Sequence, residues 1–380
     1  MKIAGIIAEF NPFHAGHQYL LDTVRNELHA DAVIVVMSGD FVQRGAPAIE
    51  DKFTRTRQAL VGGADLVLEL PVRFSLSSAE LFASAGIALL DQLGIVDQLV
   101  FGMEETADIP GLKQLSAFLL EEPEEYRQLL KEHLRQGMSF PTARSQVLRE
   151  SFPELPHSLL NTPNNILAVA YCKALLKFHS SINPCPILRK GTISAHRIRK
   201  ERQEQQKSGI YTDDFSQAFQ LRHWESLHTP GTALCPKDVE FTPELFHRLC
   251  REIQPQDSLS QLILKCKSKQ YTHSRISRCF FRYLLQLPAP LESSQCIDFA
   301  PYIRVLGFHR ESAWLLGKIR EQTHIPLVQK LADDQKKLTD NANTLLKEDI
   351  AAHEYYRLIT MQKYPNSQLR SDYQNGLILL

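Results

Sequence analysis

The sequence predicts an α/β protein in which a Rossmann-like, doubly wound parallel sheet precedes a mainly α-helical C-terminal domain. Two observations carry this prediction. In the first hundred residues, short apolar runs without polar alternation are separated by helical segments, which is typical of buried parallel strands. After about residue 203, helix-length segments separated by prolines dominate. We therefore expect one domain over 1–204 and a second over 205–380.

The predicted elements alternate along the first part of the chain. Apolar runs predict strands over 2–8, 32–37, 65–70 and 98–101, with a short fifth strand at 187–188. Apolar residues at helical spacing predict helices over 17–28, 52–61, 77–93, 109–148 and 166–178. The second of these helices carries Lys52, Arg55 and Arg57, most of which we expect at the surface.

Charges are unevenly distributed along the chain. Lys and Arg together number 43, as do Asp and Glu, so the formal net charge is zero. Residues 1–160 hold 13 basic and 22 acidic residues, whereas residues 161–282 hold 19 and 10. This asymmetry indicates a polyanion-binding module attached to an enzyme, with a solvated basic surface as the alternative.

Composition limits the class of protein further. A content of 43% hydrophobic and 23% charged residues excludes a disordered or fibrous chain. No apolar run approaches the ~18 residues of a membrane span, and Glu9 interrupts the apolar N-terminus too early for a secretory signal. The seven cysteines contain no C-x-x-C pair, which favours reduced thiols in a cytoplasmic protein over disulfides or structural zinc.

The strongest local signal is FNPFHAGHQYLL, directly after the first predicted strand. Gly16 lets the backbone approach a ligand, and the first N–H groups of the following helix attract phosphate. His14 and His17 lie on either side of the turn, so both imidazoles can contact ATP phosphates and stabilise the charge that develops as pyrophosphate leaves. A metal site is the weaker interpretation, because only Glu9 or Asp40 lies near enough in the sequence to supply a third ligand.

This H-x-G-H turn resembles the signature of nucleotidylyltransferases and class I aminoacyl-tRNA synthetases. Further runs resemble the bacterial tRNA(Met) cytidine acetate ligase family: GIIAEFNPFHAGHQYLL, VMSGDFVQRGAPAI, DLVLELP, FGMEE, PNNILAVAY, KQYTHSRISR and PYIRVLGF. The resemblance implies a nucleotidyltransferase-like catalytic domain with a helical C-terminal domain. It also implies that acetate is activated with ATP to acetyladenylate, and that N4 of the wobble cytidine of elongator tRNA(Met) is then acetylated.

The same resemblance implies particular site residues. The implied ATP-binding residues are Ile7, Ala8, Glu9, Phe10, Asn11, Pro12, Phe13, His14, Ala15, Gly16, His17, Gln18, Tyr19, Leu20, Gly102, either Asn164 or Asn165, Arg189 and Lys190. Ser194 and Arg199 are implied near phosphates. Arginine forks suit phosphate oxygens, and Gly102 allows adenosine to lie against the backbone, whereas helix capping alone also explains the asparagines.

Two features depart from the family pattern. The spacing between Arg189 and Ser194 is shorter, and Ala15 and Asp40 replace residues that are usually polar and uncharged. We expect Mg²⁺ to accompany the ATP phosphates without a metal site of the protein itself, because adjacent phosphates need charge neutralisation.

A basic segment near residue 270 is the expected tRNA-binding surface. Arg275, Arg278 and Arg282 recur at spacings of three and four, which predicts a single helical face. The full expected set is Lys265, Lys267, Lys269, Tyr271, Arg275, Arg278 and Arg282, in which Tyr271 would stack on a base. A solvated amphipathic helix is the alternative. Arg44, in the loop after the second strand, is a candidate for a substrate anion or a phosphate, or an ordinary loop arginine.

Two other function classes remain open from the residues alone. A small-molecule nucleotidylyltransferase that makes a dinucleotide-type product from ATP or CTP would share the H-x-G-H turn but would not need the basic helical segment. A tRNA-binding module with a degenerate nucleotide site would need only the basic segment. We expect no membrane and no protein partner.

Overall fold

The chain folds around a mixed sheet of mostly parallel strands. The computed structural model describes residues 1–104, 109–154, 159, 162–190, 195–205, 207–228, 241–289 and 295–380. Its strands are β1 (Ile3–Ala8), β2 (Ala32–Ser38), β3 (Phe41–Val42), β4 (Ala46–Pro47), β5 (Leu66–Leu70), β6 (Gln98–Met103), β7 (Asn183–Leu188), β8 (Ile303–Phe308), β9 (Leu327–Val328) and β10 (Ile378–Leu379).

Helices connect and cover these strands. They are α1 (Ala15–Asn26), α2 (Lys52–Val61), α3 (Val72–Ser75), α4 (Ala79–Gln92), α5 (Ile109–Glu121), α6 (Glu124–Arg135), α7 (Phe140–Ser151), α8 (Pro163–Lys177), α9 (Ala195–Glu204), α10 (Ser216–His228), α11 (Pro243–Glu252), α12 (Leu259–Cys266), α13 (His273–Leu284), α14 (Cys296–Phe299), α15 (Trp314–Gln322), α16 (Leu331–Asp334) and α17 (Asp340–Lys363). Across the described part of the chain, none of the helices combines the length and the apolarity of a membrane span.

The strand order places β1 inside the sheet, with neighbours on both sides. The order across the sheet is β10-β8-β5-β2-β1-β6-β7, with β9 beside β8. β1 pairs in parallel with β2 on one side and with β6 on the other, and β7 joins β6 in parallel. A topological switch point therefore lies between β1 and β6, and the carboxyl ends of these strands open a crevice at one edge of the sheet.

Most of the predicted elements in the first part of the chain are confirmed. β1, β2, β5 and β6 lie where apolar runs predict them, and α2 has the predicted bounds because Asp51 caps it by accepting the N–H groups of Phe53 (2.9 Å) and Thr54 (3.0 Å). The predicted helix over 109–148 is divided into α5, α6 and α7. β7 is longer than predicted, since it continues to pair with β6 through Asn183–Leu188 although it contains two prolines.

The C-terminal half also contributes to the sheet, which the sequence pattern does not predict. β8 pairs antiparallel with β5, and β10 pairs with β8. Arg304 and Gly307 interrupt the apolar pattern of β8, yet Arg304 is buried because it pairs with Glu69 (2.7 Å) and Asp372 (2.8 Å). A separate apolar cluster includes residues of α10–α13 and α17. The boundary between 204 and 205 stays a prediction.

Two basic residues of α2 are buried, so the expectation of a surface location is wrong for them. Lys52 is fully buried and its Nζ contacts Glu69 (2.9 Å) and Asp372 (2.9 Å). Arg55 is also fully buried and donates from Nη1 to the carbonyls of Glu9 (2.7 Å) and Ser38 (3.0 Å). Arg55 therefore fastens the carboxyl end of β1 to that of β2, directly beside the crevice.

Candidate active site

The H-x-G-H turn joins β1 to α1 and is ordered by its own first histidine. His14 is the N-cap of α1, and its Nδ1 accepts the backbone N–H of Gly16 (3.0 Å). The two imidazoles stack, with ring centroids 3.8 Å apart. A Cβ on Gly16 would lie 2.8 Å from Cε1 of His14, so only glycine fits beside this ring without displacing it.

Both histidines are kept neutral by their surroundings. Burial, followed by the nearby Arg189 and Arg199, lowers the pKa of His14. Burial, followed by His14 and Arg189, lowers the pKa of His17 to about 3. Because Nδ1 of His14 accepts a hydrogen bond, the proton of the neutral ring must lie on Nε2, which makes Nε2 a donor. The turn therefore presents a hydrogen-bond donor without a charge that must be desolvated.

A cavity of about 630 Å³ lies over the carboxyl ends of β1, β6 and β7. One side, here the β6 wall, consists of Gly102, Glu104, Asn164, Arg189 and Lys190. The opposite side, here the α13 wall, consists of Gln43, Arg44, Ser274 and Arg278. Glu9 and the H-x-G-H turn lie between these walls, because they follow the central strand β1.

The β6 wall is organised around Glu104. Its Oε1 accepts Nδ2 of Asn164 (2.8 Å) and lies 3.5 Å from Nη1 of Arg189. Asn165 is fully buried and its Oδ1 accepts the backbone N–H of Glu104 (3.1 Å), so it supports the wall from behind while Asn164 lines the cavity. A Cβ on Gly102 would lie 3.2 Å from Cγ of Arg189, so a larger residue there would press against the arginine side chain.

The α13 wall is built where α13 meets the β3–β4 hairpin. Ser277 donates from Oγ to the carbonyl of Gly45, and a Cβ on Gly45 would lie 2.4 Å from the backbone nitrogen of Arg278. Gly45 also has φ +77°, so glycine is required there for both conformation and contact. This contact brings Arg278 of the predicted tRNA-binding helix into the same cavity as the H-x-G-H turn.

The structure divides the predicted stretch 7–20 between the cavity and its support. The residues of this stretch that line the cavity are Ile7, Ala8, Glu9, Phe10, Asn11, His14, Gly16, His17, Tyr19 and Leu20. Pro12, Phe13, Ala15 and Gln18 are not among the lining residues, and Gln18 instead donates from Nε2 to Asp22 (2.9 Å) and to the carbonyl of Gly62 (2.9 Å).

Two further predicted contacts lie near the turn. Arg199 lines the cavity and donates from Nη1 to the carbonyl of Asn11, so α9 holds the turn from outside. Nζ of Lys190 lies 4.8 Å from the ring centre of Tyr19. Ser194 lies outside the described residues.

The predicted single basic face of α13 is wrong. Arg282 is 2% exposed, and its Nη1 donates to the carbonyl of Arg73 (2.8 Å), so it cannot contact RNA in this fold. Tyr271 is buried and its hydroxyl pairs with Thr242 (2.7 Å), which removes it from base stacking. The prediction fails because α13 is buried beyond its apolar face, so that polar residues such as Ser277 and Arg282 are also covered. The periodicity of the sequence does not show how much of a helix is covered.

The remaining basic residues of this region differ in their surroundings. Lys267 and Lys269 are exposed, and Arg275 lies over the ring of Tyr271 at 5.0 Å. Lys265 is exposed too, but its Nζ contacts Asp257 (2.6 Å). The exposed cations and the cavity-facing Arg278 therefore form two separate groups on the same part of the molecule.

The fold and this turn define a class of nucleotidyl transferase. A family model described as HIGH Nucleotidyl Transferase matches residues 1–209 and 197–372. The fold is also that of a Thermotoga maritima protein, TmcAL, in crystal structures bound with alpha-thio ATP (TM-score 0.87, 28% identity) and without ligand (TM-score 0.84, 27% identity), each covering 100% of both chains.

Curated relatives narrow the class further. Proteins named tRNA(Met) cytidine acetate ligase are 37% identical in Clostridium kluyveri, over 100% of this chain and 99% of the relative, and 34% identical in Clostridium perfringens, over 98% of each. A relative of the same name in a Thermoanaerobacter species is 35% identical over 100% of both chains. The chain belongs to the tRNA(Met) cytidine acetate ligase family.

Proposed function

We propose that this protein uses ATP to acetylate a cytidine of tRNA(Met). The observation that carries the proposal is the neutral histidine pair of the H-x-G-H turn, which faces one cavity together with Arg189, Arg199 and Arg278. Uncharged hydrogen-bond donors at the turn and guanidinium groups around it suit a triphosphate. Together they offset its negative charge and leave room in the cavity for a second substrate.

In the first half-reaction, an oxygen of acetate attacks the α-phosphorus of ATP and pyrophosphate leaves. Nε2–H of His14 would donate to a phosphate oxygen, and Arg189 and Lys190 of the β6 wall would bind the polyphosphate. Gly102 and Asn164 would contact the adenosine. The product is acetyladenylate, and the protein contributes positioning and electrostatic stabilisation rather than a covalent intermediate.

In the second half-reaction, N4 of the wobble cytidine of elongator tRNA(Met) attacks the acetyl carbon and AMP leaves. An anticodon-loop base is unstacked readily, so it can enter the cavity from the open side. Arg44 and Arg278 of the α13 wall would contact RNA phosphates at the entrance, and Arg275, Lys267 and Lys269 would extend this contact outside.

Mg²⁺ is part of the proposal as a companion of the ATP phosphates. The described residues contain no group of three or more His, Cys, Asp or Glu side chains arranged to hold a metal ion. Glu104 lines the cavity on the β6 wall, and Mg²⁺ typically binds through substrate phosphates, water and one or two carboxylates. Such an ion would neutralise phosphate charge. We expect the protein to act in the cytoplasm, where tRNA is used, without a protein or membrane partner.

The deciding experiment measures ATP–pyrophosphate exchange and the transfer of labelled acetate. We expect exchange that requires acetate, and label on N4 of the wobble cytidine of elongator tRNA(Met) by mass spectrometry. A tRNA with uridine at the wobble position is the matched control and should stay unlabelled. Exchange that requires a different acceptor would favour a small-molecule nucleotidylyltransferase. Absence of exchange would favour a tRNA-binding module with a degenerate nucleotide site.

A further inference from the structure

The second half-reaction raises a chemical requirement that the histidine pair does not meet. The lone pair of the exocyclic amine of cytosine is delocalised into the ring, so N4 is a weak nucleophile until a proton is removed. His17 is too weak a base, because its pKa is lowered to about 3, and Nε2 of His14 already carries a proton. The N4 proton therefore needs another acceptor in the cavity.

We propose that Glu9 is the general base for acetyl transfer, a role that rests on the proposed function. As N4 attacks the acetyl carbon, one N4–H proton passes to the Glu9 carboxylate. The bond between the acetyl carbon and the phosphate oxygen breaks, and AMP leaves with the electron pair. Glu9 then releases the proton to solvent, so the products are acetylcytidine, AMP and one proton.

The orientation of the Glu9 carboxylate supports this role. Its Oε1 accepts the backbone N–H of Gln43 (2.9 Å), which fixes the carboxylate at the α13 wall. Within the part of the chain that the structure describes, Oε2 has no hydrogen-bond partner. The backbone of Glu9 is held as well, because its carbonyl accepts Nη1 of the buried Arg55 (2.7 Å). A base that is fixed at one oxygen and open at the other suits proton transfer.

The position of Glu9 relative to both substrates also supports the role. It follows β1, so it lies beside the turn where the adenylate would form, and its carboxylate points to the wall that α13 shares with the exposed basic residues. The other carboxylate among the described lining residues, Glu104, lies on the β6 wall and is occupied by Asn164 and Arg189. Glu104 therefore suits the nucleotide, and Glu9 suits the incoming cytidine.

The charged groups around Glu9 are compatible with the same role. Tyr171 on α8 and Arg199 on α9 interact electrostatically with Glu9, and Arg55 on α2 binds its backbone carbonyl. Arg44 on the β3–β4 hairpin, Arg278 on α13 and His14 on the turn line the same cavity. The positive charges of Arg44, Arg199 and Arg278 offset the repulsion of acetate and phosphate by this carboxylate. They also place the negative product AMP in a cationic setting as it departs.

The test separates the two half-reactions in the full-length enzyme. Glu9→Gln keeps the size of the side chain and the hydrogen bond from Gln43, but it cannot accept the proton. We expect single-turnover transfer from isolated acetyladenylate to tRNA to fall roughly 100-fold or more, with a much smaller change in acetate-dependent pyrophosphate exchange. The KM for tRNA should change little compared with kcat.

The pH profile distinguishes a base from a structural residue. The rate of transfer by the unmodified enzyme should show an acid limb that is absent from Glu9→Gln, because glutamine cannot accept the N4 proton. Glu104→Gln is the matched control and should raise the KM for ATP while the acid limb stays. Thermal unfolding of each variant checks that it is folded.

Three outcomes would overturn the proposal. Rapid transfer by Glu9→Gln would assign the proton to the departing phosphate of AMP. An acid limb that persists in Glu9→Gln and disappears in His196→Ala would assign it to His196, which lines the cavity from α9. Equal losses in transfer and exchange would make Glu9 a structural residue. Failure of acetate-dependent exchange in the unmodified enzyme would instead reject the proposed function itself.

Discussion

The H-x-G-H turn and α13 bring polar side chains to the same cavity in different ways. In the turn, each functional group is positioned by near neighbours in the sequence: the N–H of Gly16 binds His14, and His14 stacks on His17. In α13, neighbouring arginines have different fates, because Arg278 lines the cavity while Arg282 is buried among the carbonyls of another segment. The role of the residues in a local motif can therefore be predicted from the motif itself. The role of charged residues on a helix depends on the elements that pack against that helix.

The largest effect is expected from substitutions in the H-x-G-H turn itself. Asn can replace His14 as the N-cap and can still accept the N–H of Gly16, so His14→Asn should fold normally. We expect acetate-dependent pyrophosphate exchange to fall roughly 100- to 1000-fold, because a donor to the phosphates is lost from its place. Binding of tRNA, measured by filter retention, should change far less.

His14→Ala serves as the comparison, since it removes both the cap and the donor. It should lose exchange to the same extent and should also lower the free energy of unfolding by about 1 kcal/mol. Normal exchange by His14→Asn would show that the turn is only structural.

The second prediction compares Arg278 and Arg282, the two arginines of α13 with different surroundings. Arg282→Met would leave the carbonyls of Arg73 and Pro288 without their buried donor, so we expect the free energy of unfolding to fall by about 3 kcal/mol. Arg278→Met, one turn earlier, should cost little stability and should instead slow acetyl transfer to tRNA. Chemical denaturation and single-turnover assays measure the two quantities, and the reverse pattern would contradict the described packing.

The smallest effect concerns three cations outside the cavity, of which Lys267 and Lys269 are exposed and Arg275 is half-buried. Replacing Lys267, Lys269 and Arg275 together with glutamine should weaken tRNA binding and reduce the slope of log affinity against log salt by about 2 to 3, with exchange unchanged. Arg127, Lys131 and Arg135 on α6 provide a control with the same change in charge. A similar slope for both triple variants would place the RNA elsewhere.

Much of this architecture could be predicted from the sequence because its signals are local. The buried runs of β1 and β2 and the caps of their helices act over a few residues, so strands, helices and the turn are predictable. Arg304 in β8 is different: an arginine in a strand looks exposed until Glu69 and Asp372, distant in the sequence, are known to neutralise it.

One signal in the sequence does point to this buried charge. Glu69 interrupts the otherwise apolar run of β5, and a carboxylate inside a buried strand is typically paired with a buried cation. Lys52 and Arg304 supply it, but the pairing is decided by tertiary structure. The different roles of Asn164, which lines the cavity, and Asn165, which supports the wall, are likewise decided by their contacts with Glu104. The sequence spacing does not predict these contacts.

The most direct test of the account is a crystal structure of this protein with a non-hydrolysable ATP analogue. We predict phosphate oxygens within hydrogen-bond distance of Nε2 of His14, with the adenosine against Gly102 and Asn164 and the space beside Glu9 left open. A triphosphate bound away from the turn, or an adenosine placed against Arg44 and Arg278, would contradict the account.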